Sequence, residues 1–224
     1  MLSPRLKKIA DIALALNPRA VCDVGTDHAL IPIHLTQNGI SGAIATDINV
    51  SPLEIARENI AKSGLSDVIQ TRLGCGLEPV MNGEADLVII AGMGGLNICD
   101  ILSAKQPSGI HNYILQPMKA ANKLRRFLVD SNFCIVDEEL VIERENRDGA
   151  RPKLYNILLI QNGHELQRDE LSITVGAKLI EKRHPLLKLH LENIIHALEK
   201  KPHIDSINRL LSNIRNLYEE CDSL

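Results

Sequence analysis

Near the start of the chain, Leu6, Ile9, Ala10, Ala13 and Leu14 return at helical intervals on one face, and Pro18 ends the stripe. The pattern then changes. Short, mostly apolar runs at 20–24, 43–47, 68–72, 87–91 and 113–116 read as buried parallel strands. Helical spacing fills the gaps at 31–37, 52–62, 96–102 and 120–130. The second of these is the best marked, because Ser51-Pro52-Leu53-Glu54 offers an N-cap hydroxyl, a proline at the first helical position and a capping-box glutamate. Strands alternating with helices every roughly 20 to 25 residues predict a doubly wound α/β sheet.

Two longer strand-like runs, 134–143 and 154–160, flank the charged stretch 144–153 and predict an antiparallel hairpin with a long tip. From about Asn162 the pattern is helical throughout. Leu187, Leu191, Ile194 and Leu198 form one stripe, Pro202 interrupts, and Ile207, Leu210, Ile214 and Leu217 form another. Two such stripes joined at a proline predict an antiparallel, coiled-coil-like helical hairpin. It could clamp RNA, dimerise or pack on the sheet.

Composition narrows the class. The chain has 224 residues, 45% hydrophobic and 24% charged, ordinary values for a globular protein. Its longest apolar runs, 12–16 and 87–91, are far below the ~20 residues of a membrane span. The start lacks the apolar stretch and cleavage site of a secretory signal, so a cytoplasmic protein is expected. The five cysteines form no C-x-x-C pair, and the eight histidines never take ligand spacing, so reduced thiols and no metal are expected. The net charge of −3 disfavours a nucleic-acid partner, yet residues 171–218 hold eight Lys or Arg against four Asp or Glu.

In an open parallel sheet the loops after the strands carry the ligand site. After the first strand comes Asp23-Val24-Gly25-Thr26-Asp27-His28-Ala29, where Gly25 permits close backbone approach. Asp27 stands where a dinucleotide fingerprint has its second glycine, so a pyrophosphate is disfavoured and a sulfonium with an amino-acid tail is tolerated. Asp47 lies 22 positions beyond Gly25, the place of an acid that accepts ribose hydroxyls. Gly74-Cys75-Gly76 can wrap an adenine ring, and Ala91-Gly92-Met93-Gly94-Gly95 offers an open floor for a close-fitting ligand.

The runs DVGTDHALIPIHL, RLGCGL, ADLVIIAGMGG with LNICDIL, and YILQP, preceded by the run from Arg5 to Asp11, resemble the bacterial tRNA adenine-N1-methyltransferases that modify position 22. The resemblance implies a Rossmann-like class I methyltransferase domain over 1–162, a C-terminal helical domain over 163–224, and S-adenosylmethionine as cofactor. By it, Asp23, Gly25, Thr26 and Asp27 line the methionine side, Asp47 with Ile48 and Asn49 takes the ribose, and Gly74, Cys75 and Gly76 meet the adenine. Ala91, Gly92 and Met93 complete the cofactor site. The family commonly has Asp where Cys75 stands. A thiol is a poorer acceptor, so a weaker grip or a substituting backbone carbonyl is expected.

The implied reaction is methyl transfer to N1 of an extruded adenine in tRNA. No [Asp/Asn]-Pro-Pro-[Tyr/Phe] follows the fourth strand, which fits a ring nitrogen rather than an amino group. Asp27 is expected to orient the base, with His28 as second catalytic candidate. No aromatic residue falls in a candidate ligand loop, so Pro32, Met93 and Pro117 are expected as apolar walls beside Gly94. Arg125, Arg126, Lys182 and Arg183 are expected on phosphates of the tRNA, with the enzyme a monomer or weak dimer. The rival readings are a small-molecule methyltransferase and a non-catalytic nucleotide- or RNA-binding module.

Overall fold

The computed structural model describes residues 2–143, 153–164, 168–202 and 204–221. The chain opens with α1 (Pro4–Leu16), where Ser3 accepts from the Leu6 N–H and Pro4 takes the first turn. Asn17 in the left-handed conformation (φ 48°) ends it just before Pro18. Then follow β1 (Ala20–Val24), α2 (Leu30–Gln37), β2 (Gly42–Asp47), α3 (Val50–Lys62), β3 (Ile69–Leu73), β4 (Leu87–Met93), α4 (Gly95–Ser103), β5 (Asn112–Pro117) and α5 (Ala121–Val129). The hairpin is β6 (Phe133–Glu143) and β7 (Lys153–Asn162); the stretch expected as its tip lies, Lys153 apart, outside the described residues.

One seven-stranded sheet results, in the order β3-β2-β1-β4-β5-β7-β6. The first five strands are parallel, and β7 runs antiparallel to both β5 and β6. Period-2 alternation divides the core between the faces. Val21, Ala43, Ala45, Leu87, Ile89 and Ile114 pack with Ile9, Ala13, Leu35 and Ile60 of α1 to α3. Cys22, Val24, Val88, Ile90 and Leu115 pack with Ile98, Leu102, Leu124 and Leu128 of α4 and α5. Burying each Leu or Ile side chain contributes about 1.5–3 kcal/mol, so both faces are strongly specified.

The tail folds as α6 (Glu170–Val175), α7 (Ala177–Glu181), α8 (Leu187–Glu199) and α9 (Asp205–Glu220). Leu187, Leu191, Leu198, Leu211 and Ile214 form its core together with Leu140 of β6, so the expected hairpin packs on itself and on the sheet's edge strand. No helix among the described residues is long and apolar enough to cross a membrane.

One local expectation is corrected. α3 begins at Val50 with Asn49 as its N-cap and no side-chain cap, so Ser51 lies inside the helix and the capping box does not form. The Asn49 backbone N–H is instead taken by Asp47 Oδ1 at 2.8 Å, which ties the helix start to the end of β2.

Candidate functional site

Strand order reverses between β1 and β4, and two adjoining cavities open at the carboxyl ends of the strands there. The larger, about 450 Å³, is lined by Gly25 after β1, Asp47, Ile48 and Asn49 after β2, Gly74, Cys75 and Gly76 after β3, and Ala91, Gly92 and Met93 of β4. Asn97, Asp100 and Ile101 of α4 close it. The smaller, about 300 Å³, shares Gly25, Ala91 and Gly92 and adds Asp23, Thr26, Asp27 and His28, with Leu30 and Ile31 of α2, Arg5 and Leu6 of α1, and Met118.

Each loop has a local cause. The N–H groups of Gly25 and Thr26 both donate to the Thr46 carbonyl, at 2.8 and 3.0 Å, which folds the chain back sharply after β1. Gly25 has φ 73°, and a Cβ there would stand 2.2 Å from the Met93 methyl group. Asp27 (φ 47°) and Ala29 (φ 55°) are also left-handed, a conformation Asp tolerates better than most residues. The Asp27 side chain is therefore held outward, 68% exposed and 3.4 Å from His28 Nε2. Asn59 of α3 donates to the His28 carbonyl at 3.0 Å and steadies the loop.

Asp23 is buried and accepts from the Thr26 hydroxyl at 2.7 Å. Burial raises its pKa, the Thr26 hydrogen bond lowers it, and the charge of Asp47 raises it, to about 6. Asp47 accepts from the Asn49 backbone and side-chain amides at 2.8 and 3.3 Å, which fixes its carboxylate at the cavity wall. Carboxylates able to accept from sugar hydroxyls and to face an ammonium, glycine-opened backbone and no pyrophosphate cradle fit S-adenosylmethionine chemically.

The β4–β5 pairing shifts register between Ala91 and Met93, and Gly92 bulges there with φ 80°. Its N–H donates to Gln116 Oε1 at 3.0 Å instead of to the ladder. Gly95 has a different reason to be glycine, since a Cβ would stand 2.6 Å from the Ala120 carbonyl oxygen. It serves the contact between α4 and the β5–α5 loop, not a ligand.

Several expected residues lie elsewhere. Pro32 faces the core from the first turn of α2, and Pro117 is buried as the last residue of β5; the apolar side chains at the smaller cavity include Leu6, Leu30, Ile31 and Met118 instead. Gly94 is the N-cap of α4 and lines neither cavity. Arg125 is 1% exposed, bonded to Glu138 at 2.6 Å and Asn156 at 2.8 Å, so it does not reach a phosphate. Lys182 is bound to Asp137 at 2.9 Å and Glu139 at 2.5 Å, joining α7 to β6. Arg126 pairs with Glu170, and Arg183 is exposed with φ 48°. Sequence reasoning missed Arg5, Asn97, Asp100 and Met118, of which only Arg5 and the LNICDIL run carried any signal.

A family model described as a methyltransferase domain matches residues 2–150. The tRNA (adenine(22)-N(1))-methyltransferase of Bacillus subtilis (strain 168) is 36% identical over 179 residues, 78% of this chain and 71% of the relative. Among solved structures, M. capricolum TrmK in complex with S-adenosyl-homocysteine is 31% identical with a TM-score of 0.76, covering 99% of this chain and 98% of that one. Streptococcus pneumoniae Sp1610 in complex with S-adenosyl-L-methionine is 28% identical with a TM-score of 0.79, covering 99% and 100%.

Proposed function

We propose, for a chain that belongs to the methyltransferase-domain family and within it to the tRNA (adenine(22)-N(1))-methyltransferases, that it transfers a methyl group from S-adenosylmethionine to N1 of an adenine in tRNA. The observation that carries this reading is the pair of joined cavities at the switch point, with Asp47 in one and Asp27 in the other, sharing the walls Gly25, Ala91 and Gly92. One cavity suits the nucleoside of the cofactor, and the other suits its amino-acid end and the incoming base.

When bound, the cofactor supplies an electrophilic methyl on a sulfonium. The ring nitrogen it meets is unprotonated at neutral pH, so placement supplies most of the rate. Asp47 takes the ribose hydroxyls, and the glycine turns at 25 and 92 let the backbone come close. Asp27, held outward by its left-handed backbone, accepts from the exocyclic amine and turns N1 toward the shared wall. His28 beside it keeps that carboxylate in place. Leu30 and Met118, 43% and 45% exposed, flank the extruded base in place of aromatic rings.

Residues 1–162 act as the cofactor-binding domain and 163–224 as a helical domain whose exposed Arg183, Lys200 and Lys201 meet phosphates. The chain works in the cytoplasm as a monomer or weak dimer. Purified protein incubated with radiolabelled cofactor and total tRNA should label tRNA, and mass spectrometry of the digest should find N1-methyladenosine at position 22. Unlabelled tRNA sinks the proposal.

A further inference from the structure

The edge strand β6 is held from both sides. Its side chains alternate between faces, so Leu140 enters the core of the helical tail while Val141 packs among residues of α1 and its neighbours on the opposite face. Glu139 lies between them, with a side chain 18% exposed. Its Oε2 takes Lys8 of α1 at 2.8 Å and faces His184 Nε2 at 3.3 Å, and its Oε1 takes Lys182, at the end of α7, at 2.5 Å. The imidazole is fixed in this role, because its Nδ1 accepts from the Leu186 N–H at 3.1 Å, which leaves Nε2 to carry the proton and donate. One carboxylate therefore joins α1 to the helical tail. Asp137 also takes Lys182, at 2.9 Å, but among the described residues it is not bonded to α1.

The two sides of this joint lead to different parts of the reaction. Arg5 and Leu6, within the turn before Lys8, line the smaller cavity, and Arg5 is pinned separately to Glu143 at 3.4 Å. On the other side, Lys182 and His184 flank Arg183, which is exposed and meets phosphate in the complex proposed above. The joint thus stands between the wall that receives the base and the element that carries the RNA.

We propose that Glu139 is a positioning residue for methyl transfer, fixing the span between tRNA held by the helical tail and the cavity that receives its adenine; this rests on the methyltransferase reading above. Such a joint acts on placement. A base presented about 1 Å from its productive position reacts about 100-fold more slowly, even with RNA and cofactor bound as before.

Single-turnover methylation of tRNA at saturating enzyme and cofactor, measured beside both affinities, isolates that placement. Glu139→Gln should slow transfer about 10- to 100-fold and leave the dissociation constants for tRNA and S-adenosylhomocysteine within about twofold. Lys8→Met cuts only the α1 side, since Arg5 stays on Glu143, and should slow transfer about 10-fold. Lys8→Arg keeps the bond and should restore the rate to within about threefold of wild type. The double variant Lys8→Met, Glu139→Gln should be no slower than Glu139→Gln, because the second change removes a connection already lost. A loss below about threefold in Glu139→Gln, losses that multiply in the double variant, or a slower rate matched by weaker binding of tRNA or cofactor each overturn the proposal. If Glu139→Gln does not fold, Lys8→Met and Lys8→Arg decide alone, on a side chain 39% exposed; equal rates in the two overturn it. Wild type that leaves tRNA unlabelled would refute the methyltransferase reading itself, a distinguishable result.

Discussion

Two charged regions of this molecule use the same residue types to opposite ends. At the crevice, Asp27 and His28 are 68% and 48% exposed and face each other at 3.4 Å, with Asp27 on left-handed loop backbone. At the seam between sheet and helical tail, Arg125 and Glu138 are 2% and 1% exposed and bonded at 2.6 Å. The Lys178 N–H donates to the other oxygen of Glu138 at 3.1 Å, and Gly176 lacks the Cβ that would stand 2.9 Å from both charged groups. Exposed charges retain donors and acceptors for a ligand; buried ones are used up holding the fold. A count of basic residues cannot separate the two, which is why Arg125 and Lys182 were expected on RNA.

The largest effect should come from the seam. Arg125→Ala leaves the Glu138 carboxylate buried without its counterion, and breaking such a pair costs about 3–5 kcal/mol. Chemical denaturation should show that loss, while the folded fraction binds S-adenosylhomocysteine as wild type does. A loss below about 1 kcal/mol would mean that the seam charges are not closed off from water.

The crevice should behave in reverse. Asp27→Asn keeps a residue that tolerates φ 47° and removes only the charge, so the melting temperature should hold while single-turnover methylation of tRNA falls about 100-fold. A fully active variant would remove Asp27 from the mechanism and erase the contrast.

A pH titration draws the line more finely. The pKa of Asp23 is raised from 3.8 to about 6, chiefly by burial, so the folded chain holds this proton more tightly than the unfolded one. This contribution makes the ligand-free protein less stable as pH climbs from 3.8 to about 6, and it is level above that. A ligand ammonium favours the ionised form, so cofactor affinity should change the other way and weaken about tenfold from pH 7 to pH 5. Asp23→Asn should flatten that profile. At the seam the buried His190, whose pKa burial and the nearby Arg125 charge lower from 6.5 to about 4, works in the opposite sense: only the unfolded chain takes its proton in that window, so its contribution makes the protein more stable as pH climbs from about 4 to 6.5, and it leaves the cofactor profile untouched.

What could be read from the chain divides along the same line. The five parallel strands were legible to within a residue or two because alternation and burial are local, and Asp47 was legible because it follows a strand at a set distance from Gly25. The break between α6 and α7 was not legible, since it depends on Gly176 clearing a buried ion pair contributed by α5 and β6. Nor was the placement of Arg5 at the smaller cavity, which depends on a bulge in β4 and an amide on β5. Pro32 and Pro117 stood at the right sequence offsets, but helix rotation and strand pairing turned both inward. Their exposed neighbours Leu30 and Met118 meet the cavity instead.

The smallest effect tests the comparison where it is weakest, at Lys182, whose side chain is 31% exposed yet bonded to Asp137 and Glu139. Burial raises the Glu139 pKa, but hydrogen bonds from Lys182 and Lys8 outweigh it and hold it at about 2. Losing Lys182 still leaves the Lys8 contact at 2.8 Å. Lys182→Ala should therefore cost at most about 1 kcal/mol. If Lys182 belongs to the seam, the salt dependence of tRNA binding should not change, because no counterion is released from a lysine already paired with carboxylates. A lysine on a phosphate would instead reduce the slope of log affinity against log salt by about one on removal. The salt slope discriminates where stability alone does not, and a reduced slope would return Lys182 to the RNA.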